Sequence, residues 1–396
     1  MRDWDRFIVA VFLVAICLPG LALIGGIDGA GDSENRTPAP PPAAPTSWDT
    51  ARAWPDAFTR YFEDHFAFRR DLVRAQAALR LEGLGVSPAA SVIPGEDGWY
   101  YYADDSALED YTVAWALSDS DLEIWATTLQ QTQDWLAGQG IAYAFVLAPD
   151  KHAIYPEPMP DAIRRLRERT WTDQLADHLA AHTSVNVVDL RPVLRRLRER
   201  ERVYHKTDTH WNDRGAHAAY VEVLDSLGGA HGIRPLPRSS FRDVERTVPG
   251  LDLAAMLGLS GDLVERDLAL EPSHPRRARM TEPATPATHN MYPRMATGVD
   301  DPSLPRAVIF RDSFTSGLVP FLSEHFSRAL YLWEYDVNPA IIAAERPQVV
   351  IQQIVGRHLG TTLPYNYLAS RDSDVEGRAR SGGGEETRTP APAPPE

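Results

Sequence analysis

A carboxylate and an imidazole stand two residues apart in the segment Tyr204 to Asn212, where Asp208 precedes His210 at the start of a predicted helix. A histidine that accepts a hydroxyl proton needs a fixed tautomer. A carboxylate on the other ring nitrogen supplies it and stabilises the imidazolium that forms. The spacing therefore predicts His210 as a general base oriented by Asp208. A structural interpretation remains open, in which Asp208 caps the helix and His210 packs beside Trp211.

A serine follows directly after a short apolar strand, in the segment Phe310 to Phe314. A serine at a strand-to-helix turn is exposed, and backbone N–H groups at the start of a helix point toward a developing oxyanion. Ser313 is therefore the candidate nucleophile. Taken in isolation, the position favours a helix N-cap over a nucleophile, since capping is a common role for serine.

Four further residues are candidates for oxyanion stabilisation or substrate binding. Arg357 ends a predicted parallel strand next to the serine strand, although an ion pair with Glu345 is an alternative. Arg311 is close to Ser313 in sequence. Lys151 and Tyr155 follow another predicted strand, so they are expected at the same cleft unless they only shape a loop.

Several other motifs are interpreted as structural. Gly31-Asp32-Ser33 lies in a Pro-rich segment with no strand before it, and Asp64-His65 lies on an amphipathic helix rich in aromatic residues. Imidazole and carboxylate groups at His205, Asp208, His210 and His217 suit several metal ions, but their spacing matches no closed zinc motif. We expect no metal and no cofactor.

The elements that must position these residues alternate between strand and helix. Predicted helices cover 56–84, 120–138, 161–182, 215–227, 316–326 and 339–345. Predicted strands include 92–93, 98–102, 142–147, 185–190, 307–310, 329–335 and 348–355. Alternation of this kind predicts an α/β fold with a parallel sheet flanked by helices, and ligands bind beyond the carboxyl ends of such strands. Residues 234–303 are Pro-rich and weakly periodic, so an irregular insertion or lid is expected there.

The N-terminus carries an uncharged stretch of 21 residues, Phe7 to Ile27. About 20 apolar residues span the hydrocarbon of a bilayer. Arg2 and Arg6 before it favour a cytoplasmic N-terminus and an exported remainder. Residues 1–28 are thus predicted to be a stub and a single transmembrane helix, and a cleaved signal peptide is the alternative.

The composition of the rest of the chain indicates how it is divided into segments and which partners and cross-links are excluded. Residues 29–47 are interpreted as a Pro-rich linker, 48–370 as the catalytic domain and 371–396 as a disordered tail. The net charge of −15 makes nucleic acid an unlikely partner. The single cysteine, Cys17, lies in the apolar stretch, so the exported part has no disulfide.

Taken together, these segments resemble the alginate O-acetyltransferase family, the SGNH-hydrolase-like enzymes of exopolysaccharide acetylation. Its members carry an Asp-x-His-Trp segment well before an Asp-Ser-Phe segment. The resemblance covers most of residues 54–359, including Phe62 to Arg69, Asp97-Gly98-Trp99 and Pro149 to Pro156. It implies that Asp208, His210 and Ser313 form a triad, in a motif order circularly permuted relative to ordinary SGNH hydrolases. Arg311 stands where the ordinary motif has glycine, and no asparagine lies near Arg357.

The resemblance implies an O-acetyltransferase that acts on an exported or cell-surface polysaccharide from the periplasmic side of the inner membrane. It also implies an acetyl donor supplied by a multi-span membrane acyltransferase. A carbohydrate or lipid esterase with water as acceptor is an alternative. So is a non-catalytic polysaccharide-binding component of an export complex, which the aromatic run Trp99 to Tyr102 favours.

Overall fold

The computed structural model describes residues 3–26, 38–285 and 293–369. The predicted disordered tail, the Gly31-Asp32-Ser33 motif and part of the predicted linker lie outside these ranges. The helices are, in chain order, α1 (Asp3–Ile24), α2 (Trp48–His65), α3 (Arg69–Ala78), α4 (Ala107–Thr112), α5 (Asp119–Ala137), α6 (Lys151–Ile154), α7 (Trp171–His182), α8 (Arg191–Arg198), α9 (Asp213–Ser226), α10 (Asp252–Met256), α11 (Val319–Leu322) and α12 (Pro339–Glu345).

The strands form one large sheet and two small ones. They are β1 (Val92–Pro94), β2 (Tyr100–Tyr102), β3 (Ala142–Ala148), β4 (Val187–Asp189), β5 (Phe241–Pro249), β6 (Val264–Pro272), β7 (Arg279–Glu282), β8 (Arg294–Gly298), β9 (Arg306–Phe310), β10 (Arg328–Leu332) and β11 (Val349–Val355). The large sheet has the order β4-β3-β11-β9-β10-β8-β7. The pairs β1–β2 and β5–β6 form the antiparallel two-stranded sheets.

The first five strands of the large sheet are parallel, which confirms the predicted α/β fold. Alternate side chains of these strands enter two different apolar clusters. Ala144 and Ile309 enter the cluster that includes residues of α8 and α9, whereas Phe145 and Phe310 enter the cluster that includes residues of α5 and α7. Burial on both faces explains why these strands are continuous apolar runs.

The described part of residues 234–303 forms β5, β6, β7 and β8, so the prediction of an irregular segment is wrong there. Strand β8 pairs antiparallel with β10. The large sheet is therefore mixed. The Pro-rich composition concealed these strands. Strand β8 joins the large sheet through β10, which is distant in sequence, and β5 and β6 are separated by α10.

Three predicted helices differ from those observed. The predicted helix 161–182 begins only at Trp171, because Leu166 and Arg167 donate hydrogen bonds to carbonyls at the end of α4 and hold the preceding residues in turns. The predicted helix 316–326 is a series of short turns around α11. The predicted helix 56–84 is broken at Phe68, whose φ of 66° is left-handed.

The N-terminal helix α1 has 21 residues, Trp4 to Ile24, that are apolar enough to cross a membrane, with a mean hydropathy of 2.9 and none of that stretch buried. A signal sequence near the N-terminus also meets these criteria of length and composition. Residues 38–47 return along α2: Ala39 bonds to Asp64 and His65 near its end, and Ser47 caps its start. This part of the predicted linker is thus packed against the domain.

Candidate active site

Three segments meet at the carboxyl edge of the parallel sheet. Residues 149–151 follow β3, residues 311–313 follow β9 and residues 356–358 follow β11. The segment 204–212 joins them and is closed by a bridge between Tyr204 and Trp211. Adjacent parallel strands end at the same edge, so residues far apart in sequence are brought together there.

Ser313 is the first residue of a 3₁₀ turn, Ser313–Gly317, that follows β9. The N-cap of this turn is Asp312, whose Oδ1 accepts the N–H of Phe314 at 2.9 Å. Its Oδ2 accepts the N–H of Val355 at 2.8 Å and the hydroxyl of Tyr335 at 3.1 Å. Because Asp312 is the cap, the hydroxyl of Ser313 is not used for capping. The N-cap interpretation of Ser313 is therefore wrong.

A turn within the 204–212 segment orients His210. The backbone N–H of His210 donates to Asp208 Oδ1 at 2.9 Å, and the imidazole packs 4.9 Å from the ring of Phe314. Asn212 caps α9 by accepting the N–H groups of Arg214 and Gly215. The helix cap is thus Asn212, and Asp208 is left to face the imidazole.

A continuous hydrogen-bonded chain joins the three predicted residues. Nδ1 of His210 lies 2.7 Å from Asp208 Oδ1, and Nε2 of His210 lies 2.8 Å from Ser313 Oγ. Burial opposes ionisation of Asp208, but its hydrogen bonds with His210 and the charge of His210 outweigh burial and lower the pKa of Asp208 to about 2. An ionised carboxylate only accepts, so Nδ1–H donates to Asp208. Nε2 of the neutral ring then accepts the Ser313 hydroxyl proton.

Asp252 is a second carboxylate near His210, and the sequence did not predict it as a site residue. Its Oδ2 lies 3.9 Å from His210 Nδ1, and its Oδ1 accepts the N–H of Thr209 at 2.8 Å. Burial and the neighbouring Asp208 raise the pKa of Asp252. Asp252 begins α10, inside the range predicted to be irregular. No local motif marks it, because its position depends on the contact of α10 with Thr207.

Lys151 holds the 204–212 segment in place through hydrogen bonds to its backbone. Its Nζ is buried and donates to the carbonyls of His205, Lys206 and Asp208 at 3.1, 3.1 and 2.6 Å. Burial lowers the pKa of Lys151 to about 7, although the carboxylates of Asp252, Asp208 and Glu265 oppose that shift. Its described partners are these protein carbonyls and the rings of Trp99 and Tyr101, and its role in substrate binding stays a prediction.

Tyr155 supports the start of the same segment. Its hydroxyl accepts the N–H of Val203 at 3.0 Å, and its ring lies 4.3 Å from that of Trp99. The aromatic run that includes Trp99 is itself structural, since Trp99, Tyr100 and Tyr101 are all buried. This removes the observation that favoured a polysaccharide-binding platform at this run.

The two candidate arginines are engaged with protein groups. Arg357 is buried and binds both oxygens of Asp150, through Nη1 at 2.7 Å and through its backbone N–H at 2.9 Å. Glu345, the alternative partner, instead binds Arg306 and Arg328. Arg311 donates from Nη1 to the carbonyl of Asp312 at 3.0 Å and to Ser316 Oγ at 2.9 Å.

Two groups of side chains offer ligand atoms for a metal, each within 4.8 Å of one another: Asp208, His210 and Asp252, and Asp110, Asp150 and His152. In the first group, donation from Nδ1–H to Asp208 leaves no lone pair on that nitrogen. Of the four residues considered from the sequence, His205 and His217 do not belong to this group. His205 pairs with Glu265, and Nε2 of His217 lies 3.1 Å from the carbonyl oxygen of Leu236.

An open apolar cavity of about 880 Å³ lies elsewhere, between α8, α9 and residues 235–238. None of its lining residues belongs to the Ser313–His210–Asp208 chain. The hydrogen-bonded chain is the better candidate site than the cavity, because chemistry requires groups within hydrogen-bond reach of one another.

A serine after one strand of a parallel-centred sheet, facing an Asp-x-His pair from another segment, defines an SGNH-hydrolase-like α/β domain. The chain belongs to the ALGX family, described as "SGNH hydrolase-like domain, acetyltransferase AlgX", whose model matches residues 92–334. These residues include both the Asp208–His210 segment and Ser313.

Two curated relatives carry the name "Probable alginate O-acetylase AlgJ". The one from Pseudomonas fluorescens is 24% identical over 50% of this chain and 48% of its own length. The one from Pseudomonas aeruginosa is 27% identical over 51% of this chain and 50% of its own length. The match thus spans about half the length of each relative.

Solved structures resemble the chain in part. The O-acetyltransferase domain of Pseudomonas putida AlgJ has a TM-score of 0.45 at 17% identity, over 74% of this chain and 99% of that one. Pseudomonas aeruginosa AlgX has a TM-score of 0.43 at 16% identity, over 68% of this chain and 63% of that one. Bacillus cereus PatB1 has a TM-score of 0.49 at 14% identity, over 69% of this chain and 98% of that one.

Proposed function

We propose that this protein is an O-acetyltransferase that moves an acetyl group through Ser313 onto hydroxyl groups of an exported or cell-surface polysaccharide. The observation that carries the proposal is the hydrogen-bonded chain Asp208–His210–Ser313. Membership of an acetyltransferase family supports the choice of acyl group. The alginate O-acetylase relatives support a polysaccharide acceptor.

The chemistry follows from the order of the chain. Ser313 Oγ attacks the acetyl carbonyl carbon while His210 Nε2 takes the hydroxyl proton, and Asp208 stabilises the imidazolium. The leaving group departs with that proton, which leaves acetyl-Ser313. A sugar hydroxyl then gives its proton to Nε2 and attacks the acetyl carbon. Collapse of this second tetrahedral intermediate returns the proton to Ser313 and releases the sugar ester.

The location proposed is the periplasmic side of the inner membrane, with α1 as a single span. The length and composition of α1 support this. Delivery of the acetyl group across the membrane then requires a partner, for which we propose a multi-span acyltransferase. Arg311 bonds to Asp312 and Ser316, and the guanidinium of Arg357 lies 5.7 Å from the ring centroid of Phe314. We propose that both arginines set the electrostatic potential at the serine turn and do not bind the oxyanion directly.

Replacing Ser313 by alanine tests this function in cells. We expect polymer O-acetylation to be abolished, with the variant still folded and still in the membrane fraction. Ser316→Ala is the matched control, because Ser316 is an exposed serine on the same turn and bonds only to Arg311 in the described structure. Acetylation that persists in a folded Ser313→Ala protein contradicts the proposal.

An esterase is the second candidate, and the openness of the site favours it: the side chains of His210 and Asp208 are 28% and 18% exposed. Water that reaches the acyl-enzyme can replace the sugar hydroxyl. Turnover of p-nitrophenyl acetate should be measured with and without oligosaccharide. A transferase forms acetylated sugar at the expense of free acetate. Fast hydrolysis unaffected by sugar favours the esterase.

A further inference from the structure

Helix α3 and the two residues that flank it, Phe68 and Leu79, carry an exposed apolar row on the side away from the domain. Phe68, Leu72, Ala75 and Leu79 follow one another at intervals of three or four residues, so they share one helical face. Phe68, Leu72 and Leu79 are 40%, 53% and 65% exposed. We call these four residues the α3 stripe. Scattered exposed apolar residues are normal, but a continuous row marks a contact surface.

The stripe begins with a residue in an unfavourable backbone conformation. Phe68 has φ 66° and ψ 6°, a left-handed geometry that is unfavourable for a bulky residue. Glycine would adopt it freely. Strain of this kind persists where the side chain has a task, and here it places an aromatic ring at the corner between α2 and α3.

This corner is the part of the domain that touches α1. The backbone N–H of Ala67 donates to the carbonyl of Pro19 at 3.4 Å, and the ring of Phe62 lies beside Gly20. Pro19 stands five residues before the end of α1 at Ile24, which is about 7.5 Å along a helix. Amphipathic helices lie about 5 to 10 Å deep at the boundary of headgroups and acyl chains. The corner is therefore at that depth when α1 spans the bilayer.

Charges next to the stripe suit the same surroundings. Arg69, Arg70 and Arg80 accompany it with Asp71 as the acidic residue among them, although the chain as a whole carries a net charge of −15. A fourth arginine, Arg74, is paired with Asp262 of the domain. Aromatic and aliphatic side chains with arginines alongside are typical of helices at an anionic lipid surface.

We propose that α3 lies on the outer surface of the membrane that α1 crosses, with the α3 stripe in contact with the lipid. The proposal rests on the membrane span assigned to α1. The opposite face of α3 buries Ala77 against Leu253 and Leu257 of the α10 region. Because α10 begins at Asp252, beside His210, this contact holds the active site within about two layers of helices, or roughly 20 Å, of the lipid. An acetyl group delivered through the membrane would reach Ser313 over that short distance.

The full-length protein in liposomes containing anionic lipid tests the proposal. In a Cys17→Ser background, single cysteines at Leu72 and Leu79 are labelled with an environment-sensitive fluorophore. Leu166→Cys is the matched control, since Leu166 is a leucine 68% exposed in a loop outside α2 and α3. We expect a blue-shifted emission and at least twofold quenching by acyl-chain nitroxides at positions 72 and 79. The label at 166 should respond only to a water-soluble quencher.

The outcomes separate failure of the surface from failure of the span. Native Cys17 lies inside α1, so its reaction with a membrane-impermeant maleimide in intact liposomes would show that the span is wrong, and the proposal falls with it. If Cys17 is protected but label 72 behaves like label 166, the span holds and the lipid contact is refuted. Protection of label 72 without lipid quenching indicates contact with a second copy of the chain, which also overturns the proposal. Unchanged p-nitrophenyl acetate turnover verifies that each variant is folded.

Discussion

Asp208 and Asp252 both face Nδ1 of His210, but the chain holds them in different ways. Asp208 belongs to the 204–212 segment and makes the close contact of 2.7 Å, whereas Asp252 begins α10 and stands 3.9 Å away. Burial disfavours ionisation of both. The hydrogen bonds of His210 overcome burial at Asp208 and lower its pKa to about 2, while the negative charge of Asp208 further raises the pKa of Asp252.

Neighbouring carboxylates with divergent pKa values commonly have different tasks. Asp208 fixes the tautomer of His210 through a direct hydrogen bond. Asp252 lies too far away for a hydrogen bond and acts on the imidazolium only through its charge. Replacing Asp208 and replacing Asp252 should therefore reduce turnover by different amounts and change the stability in different directions.

The largest effect is expected for Asp208→Asn. The amide preserves shape but can donate to Nδ1, which stabilises the wrong tautomer of His210, and turnover should fall by about 10³ to 10⁴-fold. Steady-state hydrolysis of p-nitrophenyl acetate measures it. A loss smaller than that of Asp252→Asn would reverse the assignment of the two carboxylates.

A smaller loss is expected for Lys151→Met, which leaves three carbonyl groups of the 204–212 segment without their donor. Buried unsatisfied groups cost about 1 to 3 kcal/mol each. Partial relaxation of the segment should reduce turnover by about 10 to 100-fold, with a lower Tm. Lys151 and Lys206 are the only lysines in the sequence, so Lys206→Met, which removes an exposed Nζ bonded to the carbonyl of Asp97, is the control. Equal effects of the two changes would show that Lys151 has no special positioning role.

Acid should remove a stabilising contribution of Asp208. Its folded pKa of about 2 lies below the usual value of 3.8, so the contribution is present above pH 4 and is lost as the pH falls toward 2. The linked free energy of unfolding is on the order of 2 kcal/mol. Urea unfolding of the wild type and of Asp208→Asn between pH 2 and pH 6 measures it. If the gap between the two proteins does not narrow on acidification, Asp208 is not the carboxylate with the lowered pKa.

The smallest effect on turnover is expected for Asp252→Asn. The folded pKa of Asp252 is raised, so its ionised form destabilises the fold at neutral pH, and stability associated with it decreases as the pH rises through that pKa. The amide removes this cost, and Tm at pH 7 should rise by about 2 °C. Turnover should change by less than about tenfold, because Asp252 makes no hydrogen bond with His210 and lies 3.9 Å from it. Thermal melts and steady-state hydrolysis of p-nitrophenyl acetate measure the two effects, and a lower Tm at pH 7 contradicts the role assigned to Asp252.

Local signals marked the three residues of the hydrogen-bonded chain as candidates, and the family resemblance predicted that they act together. Ser313 follows a continuous apolar strand, and Asp208 and His210 share one short segment beside a helix start. The parallel order of the central strands likewise follows from strand and helix alternation. Such patterns depend on a residue's neighbours in sequence.

The parts that were missed depend on long-range contacts. Asp252 reaches His210 only because α10 packs on Thr207, and β8 joins the large sheet only by pairing with β10. Arg357 was expected near the serine strand, but its partner Asp150 follows β3 and is brought there by the β3–β11 pairing. A sequence pattern predicts the residues that can react. It predicts less well the residues that hold them in position.

Trapping of an acetyl group on Ser313 is the most direct test of the central claim. The purified full-length protein is mixed with p-nitrophenyl acetate, quenched in acid within the first turnovers and analysed by peptide mass spectrometry. We expect an acetyl adduct on Ser313 in the wild type and a much smaller one in His210→Ala. Turnover without an adduct on Ser313, or an adduct on Lys151 instead, would contradict the proposed acyl-enzyme.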